Sequence, residues 1–422
     1  MRTIPARMLG AVVVGWLAWG GAWAQDPGAT GYETPGPIDA ARFIPAAMMR
    51  GPHHRVEPSA THDGFTITYT IRSDYGTYEV TGTEMAMERI VEIGAIAKLK
   101  EVKTGEEFGK ALARTGGDKL KAAGSTIMNP FRAIANVPKG ASRFFGRMGE
   151  GMKGERSQYE GKAYKNILGE SSARKRLAME LGVNPYSTNE QLQSEMESVA
   201  WVYAGVGLGV NLGLTVGTSG IAGIAVTATS LNSDIKKVLS ESTPEDLRII
   251  NRKKLIALKV DEELREKFLR HPWYSPWHET LITDALATVG VDPAQFLAVA
   301  IAAEDEADAY YFQRIAQLIA YHHRTISPIV AIAANSQLVT TLDQRGQFTI
   351  PIHLDYCIWT ARTEGRAKQV VAVLKEGLYK SASFETTGRV SPRLVSEMKN
   401  CGIEVREGLL DVAGAPESPA AR

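Results

Sequence analysis

Three short elements of this chain carry the residue types of a penicillin-binding serine site. Ser172-Ala173-Arg174-Lys175 supplies S-x-x-K, Ser187-Thr188-Asn189 supplies S-x-N, and Lys103-Thr104-Gly105 supplies K-T-G. In such a site the first Ser attacks a carbonyl and neighbouring groups carry its proton. Here K-T-G precedes S-x-x-K, the reverse of the usual order, and the other two elements stand close together within charged helix and capping sequence. That arrangement argues against a serine site.

Other ionisable groups are equally incomplete. His278-Glu279 opens an H-E-x-x-H pattern whose second His is missing. Glu304, Asp305, Glu306 and Asp308 precede His322 and His323 on what reads as one helix. Glu304 and His322 would then lie about 27 Å apart and share no metal, so the acids read as a solvated face. His53, His54 and His62 stand in a Gly- and Pro-rich stretch without Cys or carboxylate partners and read as solvated. No G-x-S-x-G, G-x-G-x-x-G or Walker A pattern occurs. Catalytic residues are unassigned, and no cofactor or metal site is expected. An exported enzyme would need a pocket joining groups such as His353, Asp355 and Glu364.

The elements that position these residues come in distinct blocks. Residues 1–24 read as a secretory signal peptide: Arg2 and Arg7 precede the apolar run Met8–Trp19, and Ala22-Trp23-Ala24 is the cleavage site. Residues 25–62 read as a flexible linker. Residues 63–101 read as a β-hairpin plus helix: Phe65, Ile67, Tyr69 and Ile71 alternate with polar residues, Ser73–Gly76 turns, and Thr77–Thr81 returns. A helix from Thr83 to about Lys100 covers the apolar face, because an isolated hairpin is marginal in water.

Residues 102–198 form a basic helical region, ending in a helix that Ser187 caps with Glu190 at its third position. Residues 199–233 are a glycine-spaced apolar segment and 234–326 a helical domain. In that domain Thr243-Pro244 marks a helix start, shorter helices follow around 260–270 and 276–289, and Asp292-Pro293 opens a long helix to about His323. His271–Trp277 reads as a packed connection. Residues 327–407 alternate strand and helix, with a helix over Asp355–Glu376 and another that Ser391 caps, and form a small α/β module with parallel pairing. Residues 408–422 read as a disordered tail. The fold class is α+β, predominantly helical.

The near balance of 48 Lys and Arg against 47 Asp and Glu excludes a uniformly basic chain, and it averages over unlike parts. Between 110 and 156 ten basic residues, among them Arg132, Lys139, Arg143 and Arg147, face three acids. Such a stretch fits anionic lipid head groups or another acidic surface. From Ser198 to Ser233 no charged side chain occurs until Asp234, and Gly205, Gly209, Gly213 and Gly217 recur every fourth residue. That spacing fits a closely packed helix in a membrane. A buried helical hairpin turning at Gly217–Gly220, or a strand following the alternation from Val206 to Val216, fits as well. In an oxidising compartment Cys357 and Cys401 either pair or stay as buried thiols.

YGTYEV at 75–80, LGVNPYSTN at 181–189 and PWYSPWHETL at 272–281 resemble a family of exported bacterial proteins of uncharacterised activity. The resemblance implies export and assigns no cofactor or catalytic residue. The expectation is therefore an exported, non-catalytic cell-envelope protein. It is periplasmic or membrane-associated, with a lipid or an envelope protein as partner and no nucleic acid. The alternative is a soluble periplasmic binding protein with the glycine segment in its core.

Overall fold

The structure, a computed structural model, describes residues 31–114, 172–205, 233–242, 244–335 and 338–410. It is α+β and predominantly helical, with an N-terminal hairpin within an antiparallel sheet and a small C-terminal α/β sheet. The signal peptide, Arg132, Lys139, Arg143 and Arg147, and Gly209, Gly213 and Gly217 lie outside the described residues. Among the described residues no helix is long and apolar enough to cross a membrane.

The N-terminal sheet centres on β5 (Ile67–Ser73). β6 (Gly76–Thr81) pairs along one edge of it in the expected hairpin, Ser73 opposite Gly76. The other edge is shared end to end by β4 (Ser59–His62) and β3 (His54–Val56), and β1 (Pro37–Asp39) and β2 (Arg50–Gly51) add outside them. Residues 37–62 are thus not a linker. Their strands have two to four residues, too short for an alternating pattern to register. His54 and His62 are buried rather than solvated, and each ring Nε2 bonds a carbonyl oxygen, of Met48 (2.9 Å) and Tyr356 (2.8 Å) respectively. Only His53 keeps to the surface, beside Asp74.

Ile67, Tyr69 and Ile71 all face inward against Ala86, Ile90 and Ile93 of α2 (Thr83–Thr104); α1 is the short helix Ala46–Met49. Beyond this sheet α2 continues into a second core. There Ile96 and Leu99 meet Leu177 of α4 (Ser172–Leu181) and Met196 and Val199 of α5 (Glu190–Gly205), with α3 (Glu106–Arg114) alongside. The cap of α5 is Asn189, whose Oδ1 accepts from Leu192 N (3.3 Å). Ser187 is the cap that the sequence suggests, but its hydroxyl donates to Glu92 on α2.

The helical region comprises α6 (Ser233–Glu241), α7 (Pro244–Ala257), α8 (Glu262–Leu269), α9 (Pro276–Val289), α10 (Ala294–Ala300) and α11 (Glu306–Thr325). α9 covers the helix expected around 276–289, and Ser275 caps it with Pro276 in its first turn. The long helix expected after Pro293 is instead two. Asp305 accepts from Asp308 N (2.9 Å) and caps a new helix, while Asp308 accepts from Glu304 N (2.8 Å). The acids at 304–308 are therefore a helix start, not a solvated stripe.

The C-terminal sheet runs, from edge to edge, β13 (Ile403–Arg406), β11 (Ser381–Thr386), β9 (Gln347–Ile352), β8 (Leu338–Asp343) and β7 (Ile329–Asn335). β7, β8 and β9 form an antiparallel meander. β11 and β13 then add parallel to β9, the expected α/β pairing. α12 (Ala361–Lys375) and α13 (Pro392–Asn400) pack on one face. The helix expected from Asp355 starts six residues later, where Thr360 and Thr363 cap it reciprocally. The intervening segment is β10 (Tyr356–Cys357), paired with β12 (Arg389–Val390). Gly408 N and Leu409 N bond the carbonyls of Gly388 and Thr386, so the expected tail begins as docked chain.

The segment Leu354–Trp359 joins the two sheets. Asp355 is its pivot. One carboxylate oxygen accepts from Ile67 N (2.7 Å) and the other from Thr83 N (2.6 Å). The second bond caps α2, a role that its own cap residue Gly82 has no side chain to perform. Burial pushes the Asp355 carboxyl up to about 6 even though both amide bonds pull it down. Asp355→Ala leaves two buried amides without an acceptor and is expected to cost about 2–4 kcal/mol. Asp355→Asn keeps one acceptor and is expected to cost about half of that. Urea unfolding of the two variants measures both, and an unchanged midpoint for Asp355→Ala contradicts the pivot.

Candidate functional site

An apolar cleft with a cavity volume of about 80 Å³ lies between the C-terminal sheet and α12. Strands supply Leu338, Ile350, Ile352, Phe384 and Ile403; α12 supplies Thr363, Ala367 and Val370; α13 supplies Met398. Helical spacing explains the α12 wall, since residues 363, 367 and 370 fall on one face. Phe65 reaches in from the connection between β4 and β5. Two charged side chains line it as well, Arg362 and Arg366, one turn apart on α12. The Arg362 guanidinium lies 5.3 Å over the Phe65 ring, a cation–π distance. Arg366 is half-buried, and burial, then the like charge of Arg362, brings it down to about 10.

Cys357 also lines the cleft. Both cysteines are thiols rather than a disulfide, Cys357 buried and Cys401 half-buried against the same core. Burial raises the Cys357 thiol well above its ordinary value, so it is protonated at neutral pH and a poor nucleophile. The wall around it can hold apolar groups by shape and exclusion of water.

The residues that chemistry first singled out do not converge. Lys103 pairs with Glu195 (2.9 Å), Lys175 donates to the Ser242 carbonyl, and Ser187 is held by Glu92. His353 faces Thr387 (2.6 Å) and the Tyr310 ring, whereas Asp355 serves its two amides and Glu364 bonds Lys368 and Tyr32 at the surface. His322 is clamped between Glu385 (2.8 Å) and Asp343 (3.6 Å) beneath the sheet, and Glu385 also meets Arg406. Among the described residues no three His, Cys, Asp or Glu side chains are placed to hold a metal ion.

A second polar seam joins α2, the 187–189 loop and α11. Glu92 accepts from Arg89 (2.7 Å), Ser187 and Asn189 (3.0 Å). Glu84 accepts from Arg314 (2.8 Å) and Tyr310 (2.5 Å). Burial pushes the Glu84 carboxyl up, but Arg314, His353 and the Tyr310 bond together hold it below its ordinary value. Glu88 and Glu306 go the other way. Burial raises both, and the Glu92 charge adds to the rise.

The cleft draws on several distant stretches of chain, which is why no sequence motif marks it. The one local signal is Arg362 and Arg366 beside Ala367 and Val370 at helical spacing. No family model, curated protein or solved structure matches the chain.

In the helical region Glu279 is fully buried on α9, and Arg248 stands 3.7 Å away. Burial pushes its carboxyl up to about 8, against the opposing pull of Arg248 and Arg252. A raised carboxyl stabilises the folded chain below its ordinary value near 4.5, and that contribution is lost as pH rises through 8. Burial brings His271, His278 and His353 down to about 4, so their contribution is lost as pH falls through 4. Glu279→Gln removes the alkaline loss alone. Its melting temperature is expected to rise relative to the wild type by about 5 °C between about pH 5 and about pH 9. Parallel curves contradict the assignment.

Proposed function

We propose that this chain is an exported, non-catalytic envelope protein whose C-terminal module binds a small apolar ligand. The observation that carries the reading is the apolar cleft beneath α12. The ionisable groups described above are bonded to amides, carbonyls or one another across element joints, an arrangement that supports architecture rather than turnover. Export rests on Arg2, Arg7 and the Ala22-Trp23-Ala24 site, and membrane association on residues 110–156 and 199–233.

The neutral dye Nile red tests the cleft. The wild type is expected to bind it saturably with a rise in fluorescence, and Val370→Trp, which fills the cleft, to abolish that rise while far-ultraviolet circular dichroism is unchanged. Equal binding by a folded Val370→Trp overturns the cleft as ligand site. Membrane association is read separately by alkaline extraction of cell envelopes. The protein is expected in the pellet, and recovery in the soluble fraction removes a membrane-spanning segment from the proposal.

A further inference from the structure

We propose that the arm at Tyr32 and Glu33 is a latch on the cleft, and that its release lets α12 move off the sheet to admit a ligand. This rests on the reading of the cleft as a ligand site and names how that site opens. The enclosed space is about 80 Å³. A cavity of about 150 Å³ is what holds a benzene ring, so a larger apolar molecule enters only if a wall moves. The strands behind the cleft are bonded to their neighbours in the sheet, whereas α12 rests on them through Ala367, Val370 and Val373. α12 is therefore the wall that can give.

Glu33 holds that wall from outside. Its amide donates to the Trp359 carbonyl (2.7 Å), and one carboxylate oxygen accepts from Trp359 N (2.6 Å) and from the Ser391 hydroxyl (2.5 Å). Trp359 immediately precedes Thr360, the cap of α12, and Ser391 is the cap of α13. One side chain thus ties together the starts of the two helices that line the cleft. The tie reaches the lining itself, because Thr363, a cleft residue, completes the reciprocal cap with Thr360. The Tyr32 hydroxyl adds a bond to Glu364, the next residue of α12 (2.9 Å). The arm can lift without breaking the N-terminal sheet, since Tyr32 and Thr34 are exposed and strand pairing begins at Pro37. At its far end α12 leaves through Gly377, whose φ of 74° marks a residue free to act as a hinge.

Thiol labelling and dye kinetics on the full chain test the latch. Cys357 is buried and lines the cleft, so N-ethylmaleimide reaches it only when the cleft opens, and mass spectrometry separates its label from that on Cys401. With its charge-assisted bonds lost, Glu33→Ala is expected to label at Cys357, and to take up and release Nile red, about tenfold faster than the wild type. Glu33→Gln, which keeps an acceptor for Trp359 N, is expected to fall between the two. The labelling rates are expected to stay constant in low urea, because a local opening exposes little surface. Equal labelling of Glu33→Ala and the wild type overturns the latch. An increase that climbs steeply with urea overturns it too, because it reports global unfolding. Faster labelling of Glu33→Ala with no Nile red bound to either protein overturns the cleft as a ligand site while the latch stands.

Discussion

The buried carboxylate of Asp355 is the constraint on which the two sheets depend. It accepts from the amide that starts β5 and from the amide that starts α2, and its own backbone bonds Phe65 and Arg389. One residue thereby fixes the N-terminal hairpin, the first long helix and the β10–β12 pair against one another. A charged or protonated carboxyl in that place is costly unless it is fully bonded. The amides need an acceptor as much as the acid needs donors, so each side of the joint satisfies the other.

The same logic runs through the rest of the molecule. Glu92 ties the 187–189 loop to α2, Glu84 ties α11 to α2, and Glu385 ties His322 and Arg406 beneath the C-terminal sheet. Polar groups that would be candidates for catalysis in isolation are thus occupied at joints between elements. The cleft is different, because most of its lining is hydrocarbon. That contrast is why binding, rather than turnover, is the reading drawn from the fold.

Local patterns made much of this legible in the sequence. The alternation of Ile67, Tyr69 and Ile71 gives the hairpin and its inward face, and Ser391-Pro392 starts a helix as written. What was hidden depends on distant partners. The strands of residues 37–62 are too short to show a period, and His54 and His62 are buried by carbonyls of other segments. Asp355 sits in a stretch whose apolar spacing reads as helix, but its role is set by residues 67 and 83. Asp305 and Asp308 interrupt a helix through a cap whose acidic residues also suit a solvated face. The cleft combines several separate segments, and spacing within any one of them reveals only the α12 wall.

A crystal structure determined with Nile red bound tests the central claim most directly. The account predicts density for the dye along Val370, Phe384 and Ile350. A cleft closed by its own side chains, with the dye elsewhere or absent, would contradict it.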